Sequence, residues 1–180
     1  DLSLDEIELK KNIRKSYKSL INWGMRELNP KIYDRTNINW EIMNQFRQLH
    51  IKEAGKETRS EKTWYRQLQM VENSEAFVVC SYLKDQLISA GLFSISNRNC
   101  DYQVSVSRRD MFDKPLFHSL MWKAILYAKE IGCKWFEVGE ISYPNHPISP
   151  KPSSKELGIS DFKAGFGGDV KMFLDLKLDF

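Results

Sequence analysis

Apolar residues recur along this chain with two periods, and the change of period divides it into elements. Up to Gly24, the residues Leu4, Ile7, Ile13, Leu20 and Ile21 punctuate a charged stretch. The capping-box spacing Ser3-Leu-Asp-Glu6 at its start and Gly24 as a stop predict one helix there. Lys31 to Tyr33 reads as a short strand. Trp40 to Ala54, with Ile42, Phe46, Leu49 and Ile51 apolar, reads as a helix ended by Gly55. Ser60 is placed to cap the next one, Glu61 to about Asn73, with Trp64, Leu68 and Val71 as its stripe.

The period then shortens to two. Ala76 to Leu83, Leu87 to Ile95 and Cys100 to Ser107 read as strands of an antiparallel meander, joined at Lys84-Asp85 and at Asn97-Arg-Asn99. Simple alternation places Tyr102, Val104 and Val106 on one face. Pro115 suits the first position of a helix whose buried stripe is Phe117, Leu120, Met121, Ala124 and Ala128, and which stops at Gly132. Lys134 to Gly139 is a further strand. Tyr143 to Ser153 holds all but two of the six prolines and reads as a loop. Phe162 and Phe166, four apart, fall on one helix face, and Lys163 points elsewhere. Gly165, Gly167 and Gly168 then free the backbone ahead of a last strand, Val170 to Leu178.

Composition narrows what this α+β pattern serves. The 180 residues suit one domain, and 42% hydrophobic residues can fill its core. A net charge of +3 argues against a dedicated DNA-binding module. Cys80, Cys100 and Cys133 are odd in number and far apart, which fits reduced thiols in a cytoplasmic protein. No pair has metal-ligand spacing and His50, His118 and His146 are scattered, so no metal is expected. No stretch approaches a membrane span, and no signal peptide is visible. Lys10, Lys11, Arg14, Lys15 and Lys18 make the first helix basic. That is either a solvated face or one turned toward phosphates of a nucleotide sugar or tRNA.

Four segments carry a family resemblance, in order. Ile159-Ser-Asp-Phe-Lys-Ala-Gly-Phe-Gly-Gly168 resembles the C-terminal signature of the FemAB-like branch of the GNAT acyltransferases. Ile13-Arg-Lys-Ser-Tyr-Lys-Ser-Leu-Ile-Asn-Trp-Gly24 is similar to the helix joining the two GNAT-like halves of such proteins. Ala54 to Trp64, and Lys114-Pro-Leu-Phe-His118 through Gly139, are the others. The resemblance implies a mixed, mostly antiparallel central sheet flanked by helices. It divides the chain into a basic connecting helix, 1–26, and a GNAT-like domain, 27–180, with another GNAT-like half expected ahead of it. It also implies an acyl-donor cleft where two parallel strands splay, here Asp101 to Ser107 and Lys134 to Gly139.

Function follows as an expectation. The resemblance implies transfer of an acyl or aminoacyl group to an amine of a cell-wall or surface-glycan precursor, a sugar or a peptide. The donor would be acyl-CoA or aminoacyl-tRNA. An acetyl-CoA-dependent N-acetyltransferase acting on an amino sugar is the alternative, and a non-catalytic substrate-binding half is another. The turn expected to offer glycines to a pyrophosphate, Ser107 to Pro115, contains none. Arg108, Arg109 and Lys114 could hold phosphates there, or form a salt-bridged turn with Asp110 and Asp113. By resemblance Lys163 lies close to the donor, where its charge could stabilise a developing oxyanion. Phe162 and Phe166 anchor it as core residues, with Gly165 and Gly167 shaping the backbone. His118 is a candidate base, or a structural histidine. Glu137 is a second candidate, with burial expected to raise its pKa, ahead of Glu140, Asp101 and Asp161. Arg59 lies in a loop that either lines an acceptor pocket or is plain surface.

Overall fold

The computed structural model describes residues 1–145 and 151–172. Five strands form one sheet in chain order: β1 (Lys31–Tyr33), β2 (Ala76–Leu83), β3 (Gln86–Ser96), β4 (Asn99–Ser107) and β5 (Trp135–Glu137). The first three pairings are antiparallel and the β4–β5 pairing is parallel. Two-residue turns at Lys84-Asp85 and Asn97-Arg98 hold all four residues at positive φ. That left-handed pair matches the twist of the flanking strands, so both hairpins close tightly. The fold is therefore the expected α+β one, a mixed and mostly antiparallel sheet flanked by helices.

Alternation along β2 and β3 sends side chains to two helical layers. On one face Val78, Cys80, Ala90 and Leu92 meet α3 (Trp40–Ala54) and α4 (Glu61–Glu72) through Met43, Phe46, Trp64 and Leu68. On the other, Phe77, Val79 and Phe93 meet α2 (Lys15–Glu27) and α5 (His118–Glu130). Because both faces are covered, residues 76–81 of β2 are buried without a break. Helix α3 has the expected bounds: Asn39 accepts from the Ile42 amide at its start, and Gly55 ends it at φ +71. A short α1 (Glu6–Asn12) and α6 (Ser154–Ala164) complete the described elements.

Several sequence expectations are corrected. The opening helix is two helices, broken at Ile13 and Arg14, and the capping box is Asp5 with Glu8, not Ser3 with Glu6. Gly24 does not stop α2; a Cβ there would lie 2.3 Å from Ser119 Oγ, so the glycine lets α2 approach α5. Pro115 precedes α5 by three residues, and the helix begins at His118. Strand β5 has only three residues. Tyr102 packs against the α2–α5 layer while Val104 and Val106 lie in the α3–α4 layer. The cause is a bulge: Phe93 pairs with Tyr102 and Leu92 with Val104, leaving Gln103 as the extra residue. Of the expected final strand, Val170 to Met172 are irregular and exposed, and the rest lies outside the described residues, as do residues 146–150 of the proline-rich loop.

Candidate functional site

The site begins where two strands part. β5 pairs with β4 only at Asn99↔Trp135, Cys100↔Phe136 and Asp101↔Glu137. Directly after, the Gln103 bulge bends β4, and Tyr102 to Ser107 run on without a partner on that side among the described residues. The bulge also turns Ser105 and Ser107 toward the α5 side. Tyr102 and Ser105 are joined there by a short hydroxyl–hydroxyl hydrogen bond.

Helix α6 fills the wall that β5 abandons. Two bonds pin it to the chain leaving β5: the Ser142 amide donates to buried Ser160 Oγ at 2.8 Å, and Lys163 Nζ donates to the Glu140 carbonyl at 3.0 Å. Its N-terminus carries a full capping box, Ser153 with Glu156. A cavity of about 130 Å³ remains, lined by Ser107, Lys114, Phe117, His118 and Phe162 among others. The first turn of α5 opens onto it, and a helix start offers unpaired N–H groups to an anion.

His118 stands at this helix start inside an aromatic box. Its ring meets Tyr17 edge-on at 4.4 Å and Phe162 at 5.2 Å between centroids, and tilts over Phe166 at 6.3 Å. Burial therefore lowers its pKa below the ordinary histidine value. The Pro115 carbonyl pulls the other way without completing a hydrogen bond of good geometry. Near pH 7 this favours the neutral imidazole, the form that can accept a proton.

Lys163 is half-buried, so desolvation lowers its pKa, and nearby Glu140 offsets part of that. Its ammonium group is directed at the segment leaving β5, and the bare Gly139 lets it approach: a Cβ there would be 3.3 Å from Nζ. Phe162 and Lys163, adjacent in sequence, thus part: Phe162 lines the cavity and Lys163 reaches the segment leaving β5.

The remaining expected site residues divide. Lys114 lines the cavity and Phe162 closes it. Arg108 is tied into an ion pair with Asp110 and also reaches Gln86 Oε1 at 3.3 Å, so the salt-bridged turn is formed. Arg109 is exposed, and its amide donates to Glu53 Oε2 at 2.9 Å, which ties the turn to the end of α3. Arg59 sits with His50 at 3.2 Å on the α3–α4 side. Gly165 and Gly167 face the N-terminal helices: a Cβ at Gly165 would lie 2.2 Å from the Tyr17 ring, and at Gly167, with φ +82, 2.8 Å from the Asn12 carbonyl. Glu137 is exposed and not buried, because a three-residue edge strand cannot cover it. It and Asp101 lie on the face away from His118, bridged by Asn99 Nδ2 at 2.7 and 3.1 Å. The Asp101 carboxyl is raised first by burial and then by the Glu137 charge. The sequence reading missed Tyr17, whose signal is its four-residue spacing from Ile13 and Ile21, both also buried.

Among the described residues no cluster of His, Cys, Asp and Glu could hold a metal ion, and no helix is long and apolar enough to cross a membrane. No family model and no curated protein matches the sequence. Solved structures do match in shape. FemX superposes with a TM-score of 0.69 at 12% identity, covering 92% of this chain and 56% of its own. An aminoglycoside acetyltransferase from an uncultured soil metagenomic sample, solved with sisomicin, gives 0.59 at 9% identity over 83% of this chain and 97% of its own. The structure of L-PGS from Bacillus licheniformis gives 0.60 at 14%, over 83% of this chain and 46% of its own. The chain thus spans little more than half of FemX. The structure of AAC(6')-Iy in complex with a CoA-linked bisubstrate analogue gives 0.57 at 8% identity, over 84% of this chain and 99% of its own. What these likenesses establish is architectural: the chain has a GNAT-like fold, shared with FemX and with these acetyltransferases.

Proposed function

We propose that this chain is an acyltransferase domain that moves an acyl or aminoacyl group onto an amine of a cell-wall or surface-glycan precursor. The observation that carries the reading is the parted β4–β5 edge, with the His118 imidazole in the cavity at the start of α5 and the Lys163 ammonium group held against the segment leaving β5. In that chemistry the acceptor nitrogen attacks the acyl carbon and a C–N bond forms. The bond from that carbon to the donor, C–S in a CoA thioester or C–O in an aminoacyl-tRNA ester, breaks. His118 would take the proton that the nitrogen loses, directly or through water, and the leaving sulfur or oxygen is protonated in turn. Lys163 would stabilise the negative charge on the carbonyl oxygen. Phe162 and Phe117 would exclude water, and the α5 start with Lys114 would receive donor phosphate. No covalent enzyme intermediate is needed, so positioning supplies most of the rate.

A second reading, an acetyl-CoA-dependent N-acetyltransferase acting on an amino sugar, is supported by the nearly full length over which the soil aminoglycoside acetyltransferase matches. The glycine-free turn 107–115 counts against it. A third, a substrate-binding half completed by another domain, is supported by the partial coverage of FemX. Turnover assays with acyl-CoA and aminoacyl-tRNA donors on wild type and Lys163→Ala test the first reading. Unchanged turnover in the variant, with the fold intact, removes Lys163 from the mechanism. Calorimetry with acetyl-CoA tests the second, which no binding heat at high concentration would sink.

A further inference from the structure

The break between α1 and α2 has no local cause: no proline or glycine stands at Ile13 or Arg14. What holds it is α6, almost 150 residues away. Arg14 forms a bidentate pair with Asp161, Nη1 to Oδ2 at 2.9 Å and Nη2 to Oδ1 at 2.8 Å. Nη2 also donates to the Asp161 carbonyl at 3.1 Å. The Arg14 amide donates to the Gly165 carbonyl at 2.9 Å. One turn on, Tyr17 OH donates to the Phe162 carbonyl at 3.3 Å, and the Arg14 guanidinium lies 5.1 Å from the Tyr17 ring centroid. These contacts occupy carbonyls at the C-terminal end of α6, where a helix leaves acceptors free and favours a cation. The bare Gly165 lets the Tyr17 ring sit against the helix.

We propose that Arg14 is a positioning residue for the transfer site: its fork on Asp161 latches α6 so that Phe162 closes the box around His118 and Lys163 reaches the wall left by β5. The geometry is specific, because a planar guanidinium matches a carboxylate bidentately and a lysine does not. What His118 and Lys163 do once positioned rests on the transferase reading. Whether Arg14 positions them does not, and it can be measured without a substrate.

The experiment is NMR titration of the His118 ring and the Lys163 ε-amine in wild type, Arg14→Ala, Arg14→Lys, Asp161→Asn and the charge-swapped pair Arg14→Asp with Asp161→Arg. Signals from β2 and β3 serve as the control for an intact fold. With the latch lost, α6 loosens and both groups gain water. His118 should titrate closer to its free value of about 6.5 and Lys163 closer to about 10.4, both upward shifts, in Arg14→Ala and Asp161→Asn. The lysine variant should restore part of each shift and the swapped pair more than either single change. The proposal is overturned if Asp161 loses its depressed pKa in Arg14→Ala, showing the pair gone, while His118 and Lys163 titrate as in wild type. It is equally overturned if β2 and β3 signals collapse with the site in both single variants, since Arg14 would then hold the whole fold. The Lys163→Ala turnover assay can fail separately, leaving the latch in place without a transferase to serve.

Discussion

Strands β2 and β3 are paired from one end to the other, from Ala76↔Ser94 to Leu83↔Gln86, whereas β4 and β5 hold together for three residues and part. The paired region is built of Phe77, Val79, Ala90 and Phe93, packed between helices on both faces. The parted region gathers hydroxyls, an imidazole and an ammonium group. Where two strands stay together, their backbone groups satisfy each other and nothing is left for a ligand. Where they separate, one strand keeps donors and acceptors that a guest can use. Stability and chemistry should therefore respond to different substitutions.

The largest expected effect breaks the paired side. Phe77 is fully buried, stacked on Phe93 at 5.1 Å and edge-on to Tyr127 at 4.8 Å. Phe77→Ala should cost about 3–5 kcal/mol of stability, read from urea midpoints; a cost under 1 kcal/mol would remove the contrast. On the parted side Lys163→Ala should lower turnover about 10²–10³-fold, while stability falls by only about 1 kcal/mol for the lost hydrogen bond. Gly24→Ala lies between the two, forcing α2 from α5 for about 1–3 kcal/mol, with thermal melts as the measure.

A pH series sharpens the comparison further. Folded His118 binds its proton less tightly than the unfolded chain does. Its contribution to stability is therefore whole above the unfolded value of about 6.5 and is lost as pH falls from there through the folded value. Urea midpoints between pH 7.5 and 5.5 should drop less in His118→Gln than in wild type, although His50, also lowered by burial, keeps some slope in both. A steeper drop in the variant would mean that the box favours the charged ring. The smallest effect is at the vertex of the opening. Glu137→Gln should let the Asp101 pKa fall only part of the way, because burial is the larger cause, and carboxyl NMR shifts can follow it.

Most of the architecture was legible because its signals are local. Gly55 and Ser60 fix helix ends within one turn, and a dense run of β-formers marks β2 without outside help. Several of the failures have distant causes. Gly24 carries the chemistry of a helix stop, yet Ser119 explains it. The break at Arg14 exists because Asp161 and Gly165 are there. Burial of Glu137 was expected from its own strand, but depends on a neighbour that covers the edge. At the site, Lys163 was singled out by resemblance and His118 by residue type; His118 and Phe162 line one cavity, and Lys163 reaches the segment leaving β5. Arg59 and Glu137 stood out equally, and it places them on other surfaces. Tyr17 was overlooked because five cations around it draw the eye to charge.

Gln103, the surplus residue of β4, has a consequence that reaches past its own kink. Strict two-residue rhythm would carry Val104 and Val106 onto the side of His118 and send Ser105 and Ser107 into the layer of Phe46 and Trp64. Excising this one exposed glutamine should leave those faces as they are, with Val104 following Tyr102 directly, whereas flattening the bulge with Gln103 kept in place would turn the downstream strand inside out: the mouth would become greasy and the opposite core would inherit unpaired hydroxyls. How β4 accommodates one surplus residue decides which surface of the sheet is wet enough to do chemistry.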